Sequence, residues 1–376
     1  MLDVSKDYKN AVYTLVRKIT ARISFTIDDE TNIYDDTIID LKILEEMNTI
    51  NTTLPSNEIQ VTLDNTSRAF DFLNLQNIQN VLAKKPKIKA EFGLELVNGM
   101  IEYVPMGSFT LIEWKNETGS MSVSLIGRDS FDLLKEVSYH NTDPGTLYDL
   151  AVDIFERAEI TDYEIDDSLK AIHTEGFTER IDSRTALQHI GIASKSAVFQ
   201  DRNGVVFIKP FKVLDQSDNF LVYCGQPNVF AGVTIPAVDV GYDMKHIDYD
   251  NIFKEPDISL DKSIYEVVVN VYESNNKREV IYINSAISGN NGASFQIDNP
   301  LINNETLAKE VAEWIIRESN INAVYKTIWR QNPVLECGDV ILVEDAFDAK
   351  RQTRIVKQEF EYRGFLRGVT ESRGGL

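Results

Sequence analysis

Cysteine is nearly absent from this chain of 376 residues, with only Cys224 and Cys337. Two thiols so far apart make neither a disulfide framework nor a cysteine-rich zinc site, and both read as small core hydrophobes. Histidine is scarce too: His140, His173, His189 and His246 are all there are. None stands in HExxH or another dense ligand spacing, and His173-Thr174-Glu175 alone is too little to mark a metal. No apolar run approaches the roughly 18 residues that span a bilayer. The Ala11–Val16 run behind Asp3 is too weak for a secretory leader, which predicts folding in a cytoplasm. Bases are outnumbered by acids, 38 to 59, for a formal charge of −21. Such a chain repels phosphate, which argues against a general nucleic-acid binder and against a partner of anionic membranes.

Catalytic motifs are missing as well. There is no Walker A sequence, no GxGxxG behind a strand and no GxSxG. Asp28-Asp29-Glu30 and Asp35-Asp36 lack the spacing, the turn glycine and the bidentate Glu of a calcium loop, so they read as solvated acidic loop. Carboxylates are so numerous that a chance pair is no argument for a glycosidase. No enzyme activity, cofactor or metal is expected.

What is present is a period of two. Ile23, Phe25 and Ile27 alternate with Ser24 and Thr26, and Ile59, Val61 and Leu63 with Gln60 and Thr62. Val356, Gln358, Phe360 and Tyr362 share one parity. These are half-buried strands. Tyr265–Tyr272 and Glu279–Asn284 flank Ser274–Lys277 as a hairpin with a longer loop. Helical spacing marks Leu147 to Ala158, capped by Thr146 with Asp149, and Leu187 to Ser194 with Ser183 as cap. It also marks Leu307 to Ile315 behind Asn303 or Asn304, and a shorter helix over Phe131–Val137. Trp314 lies on the third helix's apolar stripe and reads as core.

At about 150 residues per domain, the length allows two to three domains. The order of elements predicts an α+β, β-rich chain with segregated helices. Charge is uneven: residues 28–46 hold eight acids against Lys42, and the last 27 residues hold seven Lys or Arg against three Glu. Such runs are most often solvated faces; the functional reading sets an acidic end of one subunit against a basic end of another.

Several segments carry a more specific signal. Glu58–Asn65 is a strand running into Asp64-Asn65, which suits an Asx turn. In Gly99–Thr110, Gly107 after Pro105 suits a tight turn before a strand at Ser108–Trp114. Val123–Asp129 delivers Asp129 to cap a helix. Arg184–Gln188 leads on to Asp201–Val206, where Asn203-Gly204 is a hairpin turn. In Asn332–Val343, Gly338-Asp339 ends one segment and starts an apolar strand. These eight residues have structural jobs and none is read as catalytic.

In this order, from about residue 20 to 370, the segments resemble the tail hub proteins of tailed bacteriophages, prophages and phage-tail-like particles. That group is related to the central hub of contractile baseplates and to the N-terminal part of tail-associated lysins. The resemblance implies two tube-type β-barrel-like domains, at 1–130 and 213–376 with a helix near 304–318, and a small α+β domain at 131–212. It implies a homotrimer in a virion tail that joins a sixfold tail tube or distal tail protein ring to a threefold tip. Further implied partners are a tape-measure protein and a tail-tip spike or lysin, with DNA passing through the channel unbound. A carboxylate-lined lumen would let that DNA slide. Lysin-type relatives continue into hydrolase domains; this chain stops at Leu376, and no hydrolase activity is carried over. The competing readings are a cell-wall-degrading hydrolase and a glycan-binding adhesin. Trp114, Trp314 and Trp329 are too few and too embedded in apolar patterns to favour the adhesin.

Overall fold

The computed structural model describes residues 1–27, 30–67, 84–116, 121–210, 214, 246–273, 276–287, 292–344 and 350–375. Cys224, Asp28 and Asp29 lie outside them. The fold is β-rich with few helices. Its elements are α1 (Lys6–Ala11), β1 (Ile19–Ile27), β2 (Glu30–Tyr34), β3 (Ile38–Glu46), β4 (Glu58–Asp64), β5 (Lys87–Glu95), β6 (Ile101–Asn116), β7 (Ser122–Arg128) and α2 (Ser130–Leu133). Then come α3 (Leu147–Arg157), β8 (Tyr163–Ile165), α4 (Ser183–Ala193), β9 (Ala197–Gln200) and β10 (Val206–Lys209). The last part holds β11 (His246–Ile247), β12 (Ile252–Leu260), β13 (Ile264–Glu273), β14 (Asn276–Ile283), β15 (Ala293–Asp298), α5 (Glu305–Ser319), β16 (Ala323–Trp329), β17 (Val340–Glu344), β18 (Lys350–Tyr362) and β19 (Leu366–Gly374).

One 13-stranded sheet runs through both ends of the chain, in the order β12-β16-β19-β18-β3-β4-β7-β6-β5-β1-β2, with β17 joining β18 to β11. The link between the two ends is the antiparallel β3–β18 ladder, from Glu46 opposite Lys357 to Leu41 opposite Tyr362. The sheet rolls up on itself. β18 and β5 stand five places apart in the order, about 24 Å on a flat sheet. Yet the Phe92 ring lies 6.2 Å from Phe360 and 5.9 Å from Tyr362. Among the described residues the hydrogen-bonded path stays open, so the roll is not a closed barrel.

Alternation fixes which face is wrapped inside. Ile59, Val61 and Leu63 are buried, as are Ile23 and Phe25, and they share one core with Phe92, Phe109 and Phe360. A second core lies under the helices: α3, α4 and α5 pack Leu150, Leu187 and Trp314 with Val267, Val269 and Val271 of the small sheet β14-β13-β15. Trp314 therefore sits in a core, as its place on the helix predicted. A third, smaller core gathers Tyr325, Trp329, Ile341 and Ile355.

The helix ends follow local chemistry. Thr146 and Asp149 close a capping box on α3, and Asn304 caps α5. The cap of α4 is Asp182, not Ser183: the Asp182 carboxylate accepts from Thr185 N at 2.9 Å, while Ser183 is already in the helix. The helix after Asp129 is shorter than expected and ends at Leu133. α1 was not anticipated; Ser5 caps it through Tyr8 N. The β13–β14 ladder runs on to Glu273 opposite Asn276, which leaves only two residues for a turn read as a longer loop.

Two strand readings are corrected by bulges. A register shift between Ile355 and Lys357 changes the buried parity along β18. Thr353 and Ile355 are buried before it and Gln358 and Phe360 after it, while Val356 is only half-buried. Gly107 makes no turn: β6 runs unbroken through it, and Ala90 pairs with Gly107 while Glu91 pairs with Pro105. Its φ of +146° suits glycine at such a bulge, and a Cβ there would meet the Phe109 ring at 2.3 Å.

A buried polar junction as the candidate functional site

The β9–β10 hairpin places the central residue. The Asp201 carboxylate accepts from Asn203 N at 3.0 Å and Val205 N at 2.8 Å, and Gly204 takes the left-handed turn position with φ +97°. This tight turn presses the hairpin onto β6, where a Cβ on Gly204 would come within 3.3 Å of Ser108. The residue carried inward is Arg202, only 3% exposed.

Its guanidinium ties three parts of the chain together. It donates to Glu45 Oε2 on β3 at 2.7 Å, to the Leu335 carbonyl at 2.5 Å and to the Pro333 carbonyl. Phe360 of β18 lies beside it, 5.3 Å from ring centre to guanidinium. Glu45 also accepts from Cys337 N at 3.1 Å and Gln358 Nε2 at 3.3 Å, and Gln358 donates to the Leu335 carbonyl at 2.8 Å. Burial alone would lower the Arg202 pKa, but the Glu45 and Glu336 carboxylates outweigh it and hold the group above its usual value. A buried charge pair is tolerable only when its other hydrogen-bonding positions are filled, and here nearly all are. Within this junction Arg202 Nε and Gln358 Oε1 lack a partner among the described residues.

The other motif residues surround this junction, except Asp64 and Asn65. Asp129 is 2% exposed and accepts from Ser56 Oγ and Asn57 N at 2.7 Å each, and from Phe131 N at 3.1 Å. Desolvation pushes its pKa up to about 6 against those bonds and the nearby Arg184. Asn57 in turn accepts from Glu46 N at 2.9 Å, next to Glu45. Gln200 bridges Ser130 N to the Ser108 carbonyl, beside Gly107. Gly338, at φ +93°, donates to the Ile355 carbonyl at 2.8 Å. Asp339 holds the Met1 ammonium at 2.7 Å and Glu336 N at 2.9 Å. Asp64 and Asn65 stand apart, at the other end of β4, roughly 20 Å away by strand rise. There Asp64 closes the expected Asx turn on Thr66 N at 2.9 Å.

A cleft of about 390 Å³ opens beside the junction, with Asp3, Glu45, Glu46, Asp201, Glu336 and Asp339 on its walls. Five of these six acids are already engaged: Glu45 with Arg202, Glu46 with Lys357, Asp201 with its turn, and Glu336 and Asp339 with the Met1 ammonium. Burial, helped by Glu45, raises the Cys337 thiol well above its ordinary pKa, which makes it a poor nucleophile. Among the described residues no cluster of three or more His, Cys, Asp or Glu is arranged to hold a metal. No helix there is long and apolar enough to cross a membrane. Two pairs between the acidic and basic ends form within the chain. Lys357 reaches Glu46 at 3.5 Å and Arg363 reaches Asp40 at 3.0 Å across the β3–β18 ladder.

Sequence reasoning read Arg202 only as part of a turn. An arginine between two turn residues is ordinary on a surface, and nothing local says that its head is buried. The one available hint was Glu45 within an apolar strand face.

No family model matches the sequence, and no curated protein matches it. Among solved structures, the chain is similar to the tail protein from Neisseria meningitidis MC58, at a TM-score of 0.57 and 12% identity over 94% of this chain and 96% of that one. It is similar to the 43 kDa tail protein of prophage MuSo2 from Shewanella oneidensis, at 0.56 and 12% over 93% and 98%. The prophage tail protein gp18 from Listeria monocytogenes EGD-e gives 0.53 and 11% over 94% of each chain. At these identities the likeness is one of fold, and nearly the whole chain has the fold of prophage tail proteins.

Proposed function

We propose that the chain is a structural hub of a phage-type tail. Three copies would join a sixfold tail tube, or a distal tail protein ring, to a threefold tip. Residues 1–130 and 213–376 would act as the two tube-type units and 131–212 as the small domain between them. The tape-measure protein and DNA would pass through the channel, and a spike or lysin would dock below, all in the virion tail. The role needs no catalysis and no cofactor.

The observation that carries this reading is the end-to-end likeness to tail proteins of similar length. A single sheet shared by both ends of the chain agrees with it, since a hub must hold two tube-type units in fixed relation. The hydrolase alternative gains little support from the cleft, where five of the six acids serve other partners. Light scattering over a range of concentrations tests the proposal. A stable mass of three chains is expected, and a monomer at every concentration would count against it.

A further inference from the structure

The chain carries a basic stripe. Lys84, Lys85, Lys87 and Lys89 stand within six residues that contain no acid. Lys87 and Lys89 lie on the outward face of β5, alternating with buried Ile88 and Ala90. Two residues of strand separate their heads by about 7 Å. Hydroxyls flank them: Thr26 and Ser24 across the β1 ladder, Thr110 and Ser108 across the β6 ladder. Lys87 Nζ is fixed on Thr110 Oγ1 at 2.9 Å. Burial and the charge of Lys85 both lower the Lys87 pKa, so the stripe carries unrelieved repulsion. Among the described residues Lys85, Lys87 and Lys89 have no carboxylate partner. The next acid along, Glu91, is taken by Arg22 at 2.5 Å.

An acidic patch of similar length has no ion-pair partner among the described residues. Glu156 lies in the last turn of α3, Glu159 and Asp162 follow the helix, and Glu164 lies on β8 at the edge of the small sheet β8-β10-β9. All four are exposed. Nearby bases are committed elsewhere: Arg157 to Asp153 at 2.9 Å and Lys170 to Asp167 at 2.6 Å. Among the described residues no ion pair joins Lys85, Lys87 or Lys89 to this patch, although the chain has 21 excess negative charges.

We propose that the lysine stripe on β5 docks on the acidic patch at the end of α3 and β8 of a second copy of this chain. Charge complementarity selects that partner. Two different patches on one chain make a heterologous contact, which repeats around a ring when the rotation closes. The contact rests on the self-association proposed above and names the surfaces that produce it. Partly exposed charge pairs act on assembly rate and specificity, and salt weakens them.

The test is a charge swap read by light scattering and sedimentation. Lys85→Glu with Lys87→Glu and Lys89→Glu is expected to raise the concentration of half-dissociation about tenfold or more, as several contacts in one interface are lost. Glu159→Lys with Asp162→Lys and Glu164→Lys is expected to do the same. Combining all six restores association, which a merely damaged fold would not do. Lys85→Glu with Lys89→Glu alone leaves the Lys87–Thr110 bond intact and guards against misfolding. If the wild type is trimeric and the reversals leave its mass unchanged, these surfaces are wrong and self-association stands. If the wild type is monomeric at every concentration and salt, both readings fall. If lysine reversal spares the mass but abolishes retention of a single-stranded oligonucleotide, the stripe serves nucleic acid and the proposal is overturned.

Discussion

The two halves of the rolled sheet bury different chemistry. Strands β1 to β7 wrap an interior that is almost wholly aliphatic and aromatic, from Ile23 and Val61 to Phe92 and Phe109. Strands β16, β18 and β19 bury Thr327, Thr353, Gln358, Thr370 and Ser372 beside a much smaller apolar cluster. Along β19 the inward residues are Leu366, Gly368, Thr370, Ser372 and Gly374. Small side chains there make room for Trp329, whose Nε1 donates to Thr370 Oγ1 at 2.9 Å, and for Gln331, which reaches the same hydroxyl at 3.2 Å. One half is held by non-directional burial; the other adds a directed network centred on Thr370, while the Thr327, Thr353 and Ser372 hydroxyls have no partner among the described residues. The Glu45–Arg202 junction sits where they meet.

Breaking that meeting point should have the largest effect. Arg202→Met leaves Glu45 buried without its cation and should cost about 3–5 kcal/mol. Adding Glu45→Met should return much of it, measured by chemical denaturation. The next effect depends on pH. Burial pushes the Asp129 pKa up to about 6 in the fold from its ordinary 3.8, so the unfolded chain loses its proton first as pH rises. Wild-type stability should therefore fall between about pH 4 and 6, by roughly 3 kcal/mol at 1.36 kcal/mol per pKa unit, relative to Asp129→Asn, and the gap should stay constant above that window. Parallel slopes for the two proteins across the window would refute it. The smallest effect sharpens the contrast between the halves. Thr370→Val strands the Trp329 and Gln331 donors, whereas Val61→Thr puts a hydroxyl into the apolar interior. Each should cost about 1–3 kcal/mol, although the exchanges run in opposite directions. Thermal unfolding of the pair decides it, and a neutral Thr370→Val would mean that the network is not directed.

The apolar half was the legible one. Alternation at Ile59, Val61 and Leu63 and helical spacing at Leu150, Ile154 and Phe155 report burial directly, so these elements fall where the sequence placed them. The polar half hides its inward face, because Thr370 and Ser372 look like solvent residues until Trp329 is seen against them. Bulges hide more. One extra residue at Ile355–Lys357 reverses the parity, and one at Gly107 looks like a turn when only the glycine is read. At the candidate site the turns at Asp201–Gly204 and Gly338-Asp339 were readable from local chemistry. The ion pair between them was not, since its partners lie 157 residues apart.

The β3–β18 ladder also sets a timetable for synthesis. Its strands pair Glu46 with Lys357, so more than 300 residues must be made between them. At 5–20 residues per second, β3 waits on the order of 15–60 s after leaving the ribosome before its neighbour exists. Throughout that interval β4 guards one side of β3 and the other side is bare backbone, open to the same strand of another nascent chain. Ribosome spacing on the message, as much as the final contacts, thus bears on whether the roll closes within one chain.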